Sequence, residues 1–280
     1  MTRRVPKNPH LKTLEQALAA RFGWQPGALR ETIQAAVASK ADRLGLDEVS
    51  YCRMAAASSG ELHAFAEEVA PVESRFFRAP EQFEAIRDRV LPDLAAARAD
   101  VRRLRFWCTA AATGEEAFSL AMVVREALSG IEEWRVEIFA SDLRGQSIMA
   151  ASRGRYRATA LRAIDPTLRN RYFMGVDEPG PDREFDLIPL VRRMVTFRRA
   201  NLYEPHVWRQ LPGPYDLVLC ENLLIYFHPR AVDVLVDRLA EVLAPGGYLT
   251  VGPTEVDIIS RAVFRPVESL PAGFFQRRTE

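Results

Sequence analysis

Apolar residues recur at helical spacing through the first part of the chain, up to about residue 70. The pattern predicts amphipathic helices over residues 11–22, 28–45, 46–57 and 61–69. A further helix is predicted over 80–103, after a stretch rich in Pro, Phe and Arg. We therefore expect an all-helical domain over residues 1–70 and a linker over 71–80.

Beyond residue 100 the pattern changes to short, continuously apolar runs that alternate with helical stretches. The runs predicted to be strands are residues 104–108, 136–140, 215–220 and 248–251. Strands without polar alternation are typical of a parallel sheet covered on both faces. The predicted fold class is α/β, a doubly wound Rossmann-like sheet over residues 81–280, because helical patterns separate these strands.

Two stretches depart from this alternation. Residues 175–189 are rich in Gly, Pro and Asp and follow a short helix predicted over 165–173. We expect a small inserted β subdomain over about 174–196, with 195–197 as its return strand. A terminal hairpin is expected where residues 263–267 and 273–277 alternate around a turn.

The first predicted strand leads directly into a turn of small residues and a helix start. Ala110, Ala111 and Gly114 keep side-chain bulk away from the backbone. Glu116 lies in the first helical turn, where exposed N–H donors favour a carboxylate. Such a corner binds ligands in many α/β folds. Because no G-x-G-x-x-G is present, an ordinary strand-to-helix junction stays open as the alternative.

Two other stretches carry candidate chemistry. Asp142 ends the second predicted strand, where a carboxylate can accept hydrogen bonds from ribose hydroxyls or can cap the helix that follows. In the linker, Arg75 and Arg78 flank Phe76 and Phe77. That pattern fits an apolar anchor that fixes a cation, and it equally fits a packed linker with solvated arginines.

Composition excludes several classes of partner. The formal net charge is +1, which favours neither nucleic acid nor an anionic membrane surface. No apolar run approaches the roughly 18 residues that a membrane helix needs. Cys52, Cys108 and Cys220 are widely separated, and the histidines show no metal-ligand spacing with them. We expect a cytoplasmic protein without a metal site or disulfide framework.

A basic helix lies in the N-terminal part of the chain. Arg30, Lys40 and Arg43 fall within the predicted helix over 28–45. A solvated helix face explains them, and a docking surface for an acidic partner helix is the alternative.

Taken as a set, the motifs resemble the CheR-type chemoreceptor methyltransferases, S-adenosylmethionine-dependent enzymes that esterify glutamates on bacterial receptors. The resemblance covers nearly the whole chain. It rests on ESRFFRAPEQF, FWCTAAATGEEAFSLAM, VEIFASDL, VTFRRANL, YDLVLCENLLIYF and LAPGGYLTVGPTE. ATGEE, FFR and N-x-x-I-Y-F are specific in combination, whereas no single motif suffices.

The resemblance implies S-adenosylmethionine as cofactor, S-adenosylhomocysteine as product and the cytoplasmic helical domain of a chemoreceptor as partner. The matching cofactor-binding positions are Ser74, Arg78, Ala110, Ala111, Glu116, Asp142, Asn201, Leu202, Glu221 and Asn222. Glu116 would contact the amino end of the cofactor, Asp142 its ribose and the Asn201–Leu202 pair its adenine. The catalytic positions are Arg78 and Tyr226, which would orient the acceptor carboxylate.

Three features depart from the family pattern. Val72 stands where the family often has Asn, and Glu221 stands where it often has Arg. The stretch after Met174 lacks the glycine cluster with which many members grip a receptor's C-terminal tether, so we expect a tether-independent enzyme.

The expected chemistry needs no strong general base, because a glutamate acceptor with a pKa of about 4.3 is ionised at neutral pH.

The main alternative to a methyltransferase is a non-enzymatic module that binds cofactor or receptor. A nicotinamide-dependent oxidoreductase is less favoured, because the turn lacks the glycines that cradle a pyrophosphate.

Overall fold

The computed structural model describes residues 9–176, 180 and 183–278. Its helices are α1 Pro9–Phe22, α2 Arg30–Leu44, α3 Glu48–Ala57, α4 Ser59–Val69, α5 Pro80–Ala85, α6 Leu91–Ala97, α7 Glu115–Ala127, α8 Gly145–Arg153, α9 Pro166–Tyr172, α10 Pro189–Arg192, α11 Pro205–Arg209 and α12 Pro229–Val242. The strands are β1 Arg103–Cys108, β2 Arg135–Asp142, β3 Arg155–Arg157, β4 Phe173–Gly175, β5 Glu184–Leu187, β6 Val195–Arg199, β7 Tyr215–Cys220, β8 Leu243–Val251, β9 Phe264–Pro266 and β10 Phe274–Arg277.

The first four helices confirm the predicted helical segment at the start of the chain. Local capping explains where they begin and end. Gly45 ends α2 in the left-handed conformation with φ of 64°. Asp47 and Ser58 cap α3 and α4, since their side chains accept hydrogen bonds from the backbone N–H groups of Ser50 and Glu61.

The fifth predicted helix is shorter than expected and irregular. A π-helical turn at Ile86–Val90 joins α5 to α6, and the helix ends at Ala97 rather than at 103. Arg102 adopts a left-handed backbone with φ of 45°, which turns the chain into β1. The helical pattern of the sequence continues past this turn and therefore does not reveal it.

The main sheet has the strand order β6-β2-β1-β7-β8-β10-β9. Strands β6, β2, β1, β7 and β8 are mutually parallel, and β10 runs antiparallel to both of its neighbours. This confirms the predicted doubly wound α/β sheet and its terminal hairpin. The chain leaves β1 towards β2 on one side and returns to β7 on the other, so the strand order reverses between β1 and β7. Ligands bind at such a switch point in open α/β sheets.

Two hydrophobic clusters cover the two faces of this sheet. On one face, the N-terminal helices and α12 pack against Trp107, Phe139 and Tyr215. On the other face, α5, α6 and α7 pack against Phe106 and Leu217. The N-terminal helices therefore share one core with the sheet. The division at residues 70 and 80 stays a prediction.

The small second sheet has the order β3-β5-β4. Its first strand, Arg155–Arg157, lies before the expected inserted segment of about 174–196. The expected return strand belongs to the main sheet instead, because Val195–Arg199 pairs with β2. Residues 177–179 and 181–182 of the expected insertion lie outside the described residues. Phe76 anchors the linker here, with its ring 4.9 Å from that of Tyr156.

Within the described part of the chain, no helix is both long enough and apolar enough to cross a membrane.

Candidate functional site: a cavity at the switch point

A cavity of about 400 Å³ opens at the carboxyl ends of the central strands. Its walls come from the linker, the turn after β1, the end of β2, the segment after β6 and the loop after β7. Every predicted site residue except Ala111 lines it: Ser74, Arg78, Ala110, Glu116, Asp142, Asn201, Leu202, Glu221, Asn222 and Tyr226. The structure thus brings together residues that lie far apart in the sequence. Their individual roles stay predictions.

The turn after β1 forms one wall of the cavity. Gly114 begins α7 with φ of 95°, and a Cβ at this position would lie 2.9 Å from the Cβ of Ala151, so only glycine fits. Ala110 lines the cavity, whereas Ala111 is fully buried beneath it. The backbone N–H of Ala111 donates to the carbonyl oxygen of Ser141 at 2.9 Å. Ala111 therefore fixes the turn against β2 instead of lining the cavity.

The side chain of Asp142 does not cap α8, whose N-cap is Arg144 without a side-chain hydrogen bond, and its ribose role stays a prediction. Its Oδ1 accepts from the N–H of Arg144 at 2.8 Å, just before α8, and its Oδ2 accepts from the N–H of Ala112 at 2.9 Å. The same carboxylate lines the cavity and is only 9% exposed. Burial raises its pKa, while the two N–H donors oppose that effect. Each oxygen keeps a lone pair with which it can accept from a ligand hydroxyl.

Glu116 and Glu221 form an acidic pair in the cavity. Glu116 lies in the first turn of α7, and Glu221 follows β7 directly. Burial, followed by repulsion from Glu221, raises the pKa of Glu116 well above its usual range. Burial is also the largest cause of the raised pKa of Glu221, although Gln82 donates a 2.8 Å hydrogen bond to its carboxylate. Both carboxyls therefore hold their protons more tightly than exposed glutamates do.

A third glutamate, Glu255, organises the loop after β7. Its side chain is fully buried, with an exposed fraction of 0%. Its two oxygens accept four backbone N–H groups, those of Asn222, Leu223, Leu224 and Gly252, at distances of 2.7 to 2.9 Å. These bonds hold Asn222 in a left-handed conformation with φ of 55°. The sequence analysis did not predict this role. The sequence indicates it only through the presence of an acid, Glu255, at the end of the motif GPTE.

The linker supplies the cations at the cavity. Phe76 is fully buried, and the N–H of Phe77 donates to Oγ of Ser119 at 3.0 Å, so the linker is anchored as one interpretation of its pattern predicted. Arg75 and Arg78 both line the cavity. A guanidinium nitrogen of Arg78 lies 3.3 Å from a carboxylate oxygen of Glu73, whose side chain is 84% exposed.

The N-terminal helices also contribute to the cavity, which the sequence analysis did not anticipate. Trp24 lines the cavity and pairs with Phe227 in an isolated β-bridge. The N–H of Gln25 donates to the carbonyl oxygen of Tyr226 at 2.8 Å. On the far side, the Asn201 amide donates to the carbonyl oxygen of Arg21 at 3.3 Å. Two walls of the cavity are therefore tied to the last turn of α1 and to the segment that follows it.

Tyr226 is half-buried, and burial is the largest cause of its raised pKa. Glu73 raises that pKa further, whereas Arg78 lowers it. Both charges of the linker ion pair therefore affect the Tyr226 hydroxyl. A raised pKa keeps the phenol protonated at neutral pH, and its O–H can donate a hydrogen bond.

No group of three or more His, Cys, Asp or Glu side chains suited to a metal ion occurs in the part of the chain that the structure describes. The three cysteines are free and buried.

The family described as CheR methyltransferase, SAM binding domain, matches residues 72–269. WspC of Pseudomonas aeruginosa, named as a probable biofilm formation methyltransferase, is 34% identical over 272 residues, which are 95% of this chain and 61% of WspC. Chemotaxis protein methyltransferase 1 of the same organism is 36% identical over 187 residues, 65% of each chain. A probable chemotaxis protein methyltransferase of Rhizobium etli is 31% identical over 182 residues, 65% of this chain and 66% of that protein.

The chain spans 61% to 66% of the length of these relatives. The matched segment, 72–269, includes every predicted site residue and excludes Trp24. S-adenosylmethionine is the cofactor that this match implies. Since the match covers more than half of the sequence, the chain belongs to the CheR methyltransferase family.

Proposed function

We propose that this protein transfers a methyl group from S-adenosylmethionine to glutamate side chains on the cytoplasmic helical domain of a chemoreceptor. The product is a glutamate methyl ester, which serves adaptation in receptor signalling. One observation carries the proposal: a single cavity at the sheet's switch point combines buried carboxylates with an Arg and a Tyr. The relatives named as chemotaxis protein methyltransferases support the same activity.

The residues of the cavity fit S-adenosylmethionine. Asp142 can accept hydrogen bonds from ribose hydroxyls, and Glu116 can pair with the ligand's ammonium group. Trp24, Leu143 and Leu202 supply apolar surface for the adenine ring. The volume, about 400 Å³, lies in the range of small-molecule sites. The turn offers carboxylates and no glycine-rich phosphate cradle, which suits a ligand without phosphate.

The reaction requires the protein to align the acceptor carboxylate with the methyl group, and it requires no proton transfer. When bound, S-adenosylmethionine supplies a methyl group that its sulfonium already activates. Arg78 holds the acceptor carboxylate through a charge-assisted hydrogen bond, and the protonated Tyr226 donates a second one. Positioning of this kind contributes roughly 7–11 kcal/mol in well-oriented intramolecular reactions. The linker and the loop after β7 line the cavity, and displacement of water from it by the bound substrates would favour a reaction that neutralises charge.

Basic residues of α2 form ion pairs within the chain. In α2, Lys40 pairs with Glu61 at 2.8 Å, and Arg30 pairs with Glu15 at 3.1 Å. Both basic side chains therefore already have acidic partners within the chain, which disfavours a dedicated docking site for an acidic helix. We expect receptor recognition without the C-terminal tether, in the cytoplasm, where the receptor's signalling domain lies.

A labelling experiment tests the activity. The full chain is incubated with S-adenosylmethionine labelled in its methyl group and with candidate receptor cytoplasmic domains. We expect label on the receptor that is released by mild base, as a methyl ester requires, and no label when the receptor's candidate glutamates are replaced by Gln. Base-stable label would contradict ester formation. Cofactor binding without any transfer to receptor would favour the alternative of a non-enzymatic binding module.

A further inference from the structure

Acidic side chains outnumber basic ones among the residues that line the cavity. Among the described lining residues, Glu73, Glu116, Asp142 and Glu221 carry carboxyl groups, and Arg75 and Arg78 carry guanidinium groups. The Arg78 guanidinium is already engaged by the exposed Glu73 at 3.3 Å. The inner part of the cavity therefore offers acidic groups in excess.

Glu221 is the acid of this set that a neighbouring helix holds in place through a hydrogen bond. Its carboxylate follows β7 directly and accepts a 2.8 Å hydrogen bond from Gln82 of α5. The hydrogen bond fixes the orientation of the carboxylate without neutralising its charge. Glu221 is thus a built part of the cavity wall and not a freely moving surface acid.

Groups from several elements act on the carboxyls of Glu116 and Glu221. The ionisable groups that act on the acidic pair are Arg78 from the linker, Cys108 from β1 and Glu255 from the turn after β8. Gln82 donates a 2.8 Å hydrogen bond to Glu221. Glu255 accepts four backbone N–H bonds, which hold its carboxylate beside the loop after β7. Arg78 is the cation within this set.

We propose that Glu221 is a specificity-determining residue, which makes the cavity prefer the positively charged methyl donor to its uncharged thioether product. This inference rests on the proposed function. S-adenosylmethionine and S-adenosylhomocysteine share adenine, ribose and the amino-acid end, and they differ by one methyl group and one positive charge. A carboxylate in a partly dry cavity distinguishes that charge far better than one in water. Weaker product binding would follow directly.

The protonation state of the pair supports the same conclusion. Burial raises the pKa of Glu116 and of Glu221, so in the ligand-free protein these carboxyls stay protonated to a higher pH than exposed glutamates do. A cationic ligand favours the ionised carboxylates and expels those protons, whereas a ligand without the sulfonium charge expels fewer. Binding of the donor should therefore release more protons than binding of the product.

Calorimetric titration of the full chain with each ligand tests the proposal. We expect Glu221→Gln, which keeps the size and the contact with Gln82, to lower the preference for donor over product by about 3- to 10-fold, the size of one charge pair in a partly wet site. Glu221→Arg should lower it further. The matched control is Asp142→Asn, which faces the part that both ligands share and should weaken both equally.

Repeating the titrations in two buffers of different ionisation enthalpy counts the protons. The excess proton release with the donor should shrink in Glu221→Gln. Product affinity within about twofold of wild type would show that the variant's cavity is intact. An unchanged ratio, or an equal change for both ligands, would overturn the inference and leave the proposed function standing. If the wild-type protein bound neither ligand, both the inference and the proposed function would be contradicted.

Discussion

Arg78 and Glu73 form an ion pair within the linker, with a guanidinium nitrogen 3.3 Å from a carboxylate oxygen. The same guanidinium donates to the main-chain carbonyl of Glu73 at 3.2 Å. The group proposed to hold an acceptor glutamate is thus occupied by a glutamate of its own chain. An acceptor carboxylate has to displace Glu73 before it can use Arg78.

Replacing Glu73 with Gln should therefore speed the reaction at low acceptor concentration. Exposed ion pairs contribute about 0.2–1 kcal/mol, so we expect kcat/KM for the receptor to rise by about two- to fivefold with little change in kcat. Steady-state kinetics with a receptor cytoplasmic domain measures this. Asp88→Asn is a matched control, because it removes an equally local exposed pair, with Arg87, away from the cavity. A fall in kcat/KM would show that Glu73 assists the reaction.

Arg78 and Tyr226 are expected to act on the acceptor more than on the cofactor. Arg78→Ala and Tyr226→Phe should each reduce turnover by about 10- to 100-fold, the size expected when a hydrogen bond to a charged group is lost. The dissociation constant for S-adenosylmethionine should change far less in both variants. Turnover and calorimetric binding together check this. Wild-type turnover in both variants would remove these residues from the acceptor site.

Asp142 is expected to act on the cofactor. Asp142→Ala should weaken binding of S-adenosylmethionine by about 1–3 kcal/mol, because a charge-assisted pair of hydrogen bonds is lost. The variant also frees the N–H groups of Ala112 and Arg144, so its thermal stability has to be recorded beside its affinity. Unchanged affinity in calorimetry would exclude Asp142 from the binding site.

The sequence predicts the architecture of the sheet because buried parallel strands are continuously apolar. Residues 215–220, for example, are all buried in β7 as expected. The position of the cavity follows from topology, because parallel strands end at one edge and the strand order reverses between β1 and β7. Predicted residues after β1, β2, β6 and β7 therefore line one cavity.

Contacts between distant segments could not be predicted in this way. Trp24 is held at the cavity by an isolated β-bridge to Phe227. The local sequence pattern of neither segment predicts that pairing. The short strand Arg155–Arg157 has only one buried residue, Tyr156, so no apolar run marks it. The role of Glu255 depends on where its backbone partners lie in space.

Glu255 is expected to be a determinant of stability. Glu255→Gln replaces one acceptor oxygen with an NH₂ group that faces backbone N–H donors, so buried donors lose their partners. We expect a loss of about 2–4 kcal/mol in the free energy of unfolding, because a buried group loses charge-assisted hydrogen bonds. Urea denaturation measures this, with the exposed Glu268→Gln as the control. Equal midpoints for the two variants would contradict the role we assign to Glu255.

The acidic pair also predicts how stability depends on pH. Because the pKa values of Glu116 and Glu221 are raised in the folded protein, the folded state binds more protons than the unfolded state above the usual carboxyl range. The free energy of unfolding of the ligand-free protein should then fall as the pH rises from about 5 to about 8. Carboxylates with lowered pKa values, such as those of Glu137 and Asp186, are already ionised throughout this window and add no slope.

Urea denaturation across this pH range compares wild type with a double variant, Glu116→Gln and Glu221→Gln, which cannot titrate at either position. The double variant should show the shallower decline, and the difference between the two profiles isolates the pair from the histidines, which are common to both proteins. Parallel profiles would mean that both acids titrate as exposed glutamates do. Both carboxyls would then already be ionised at neutral pH in the ligand-free protein, and donor binding would release no protons from this pair.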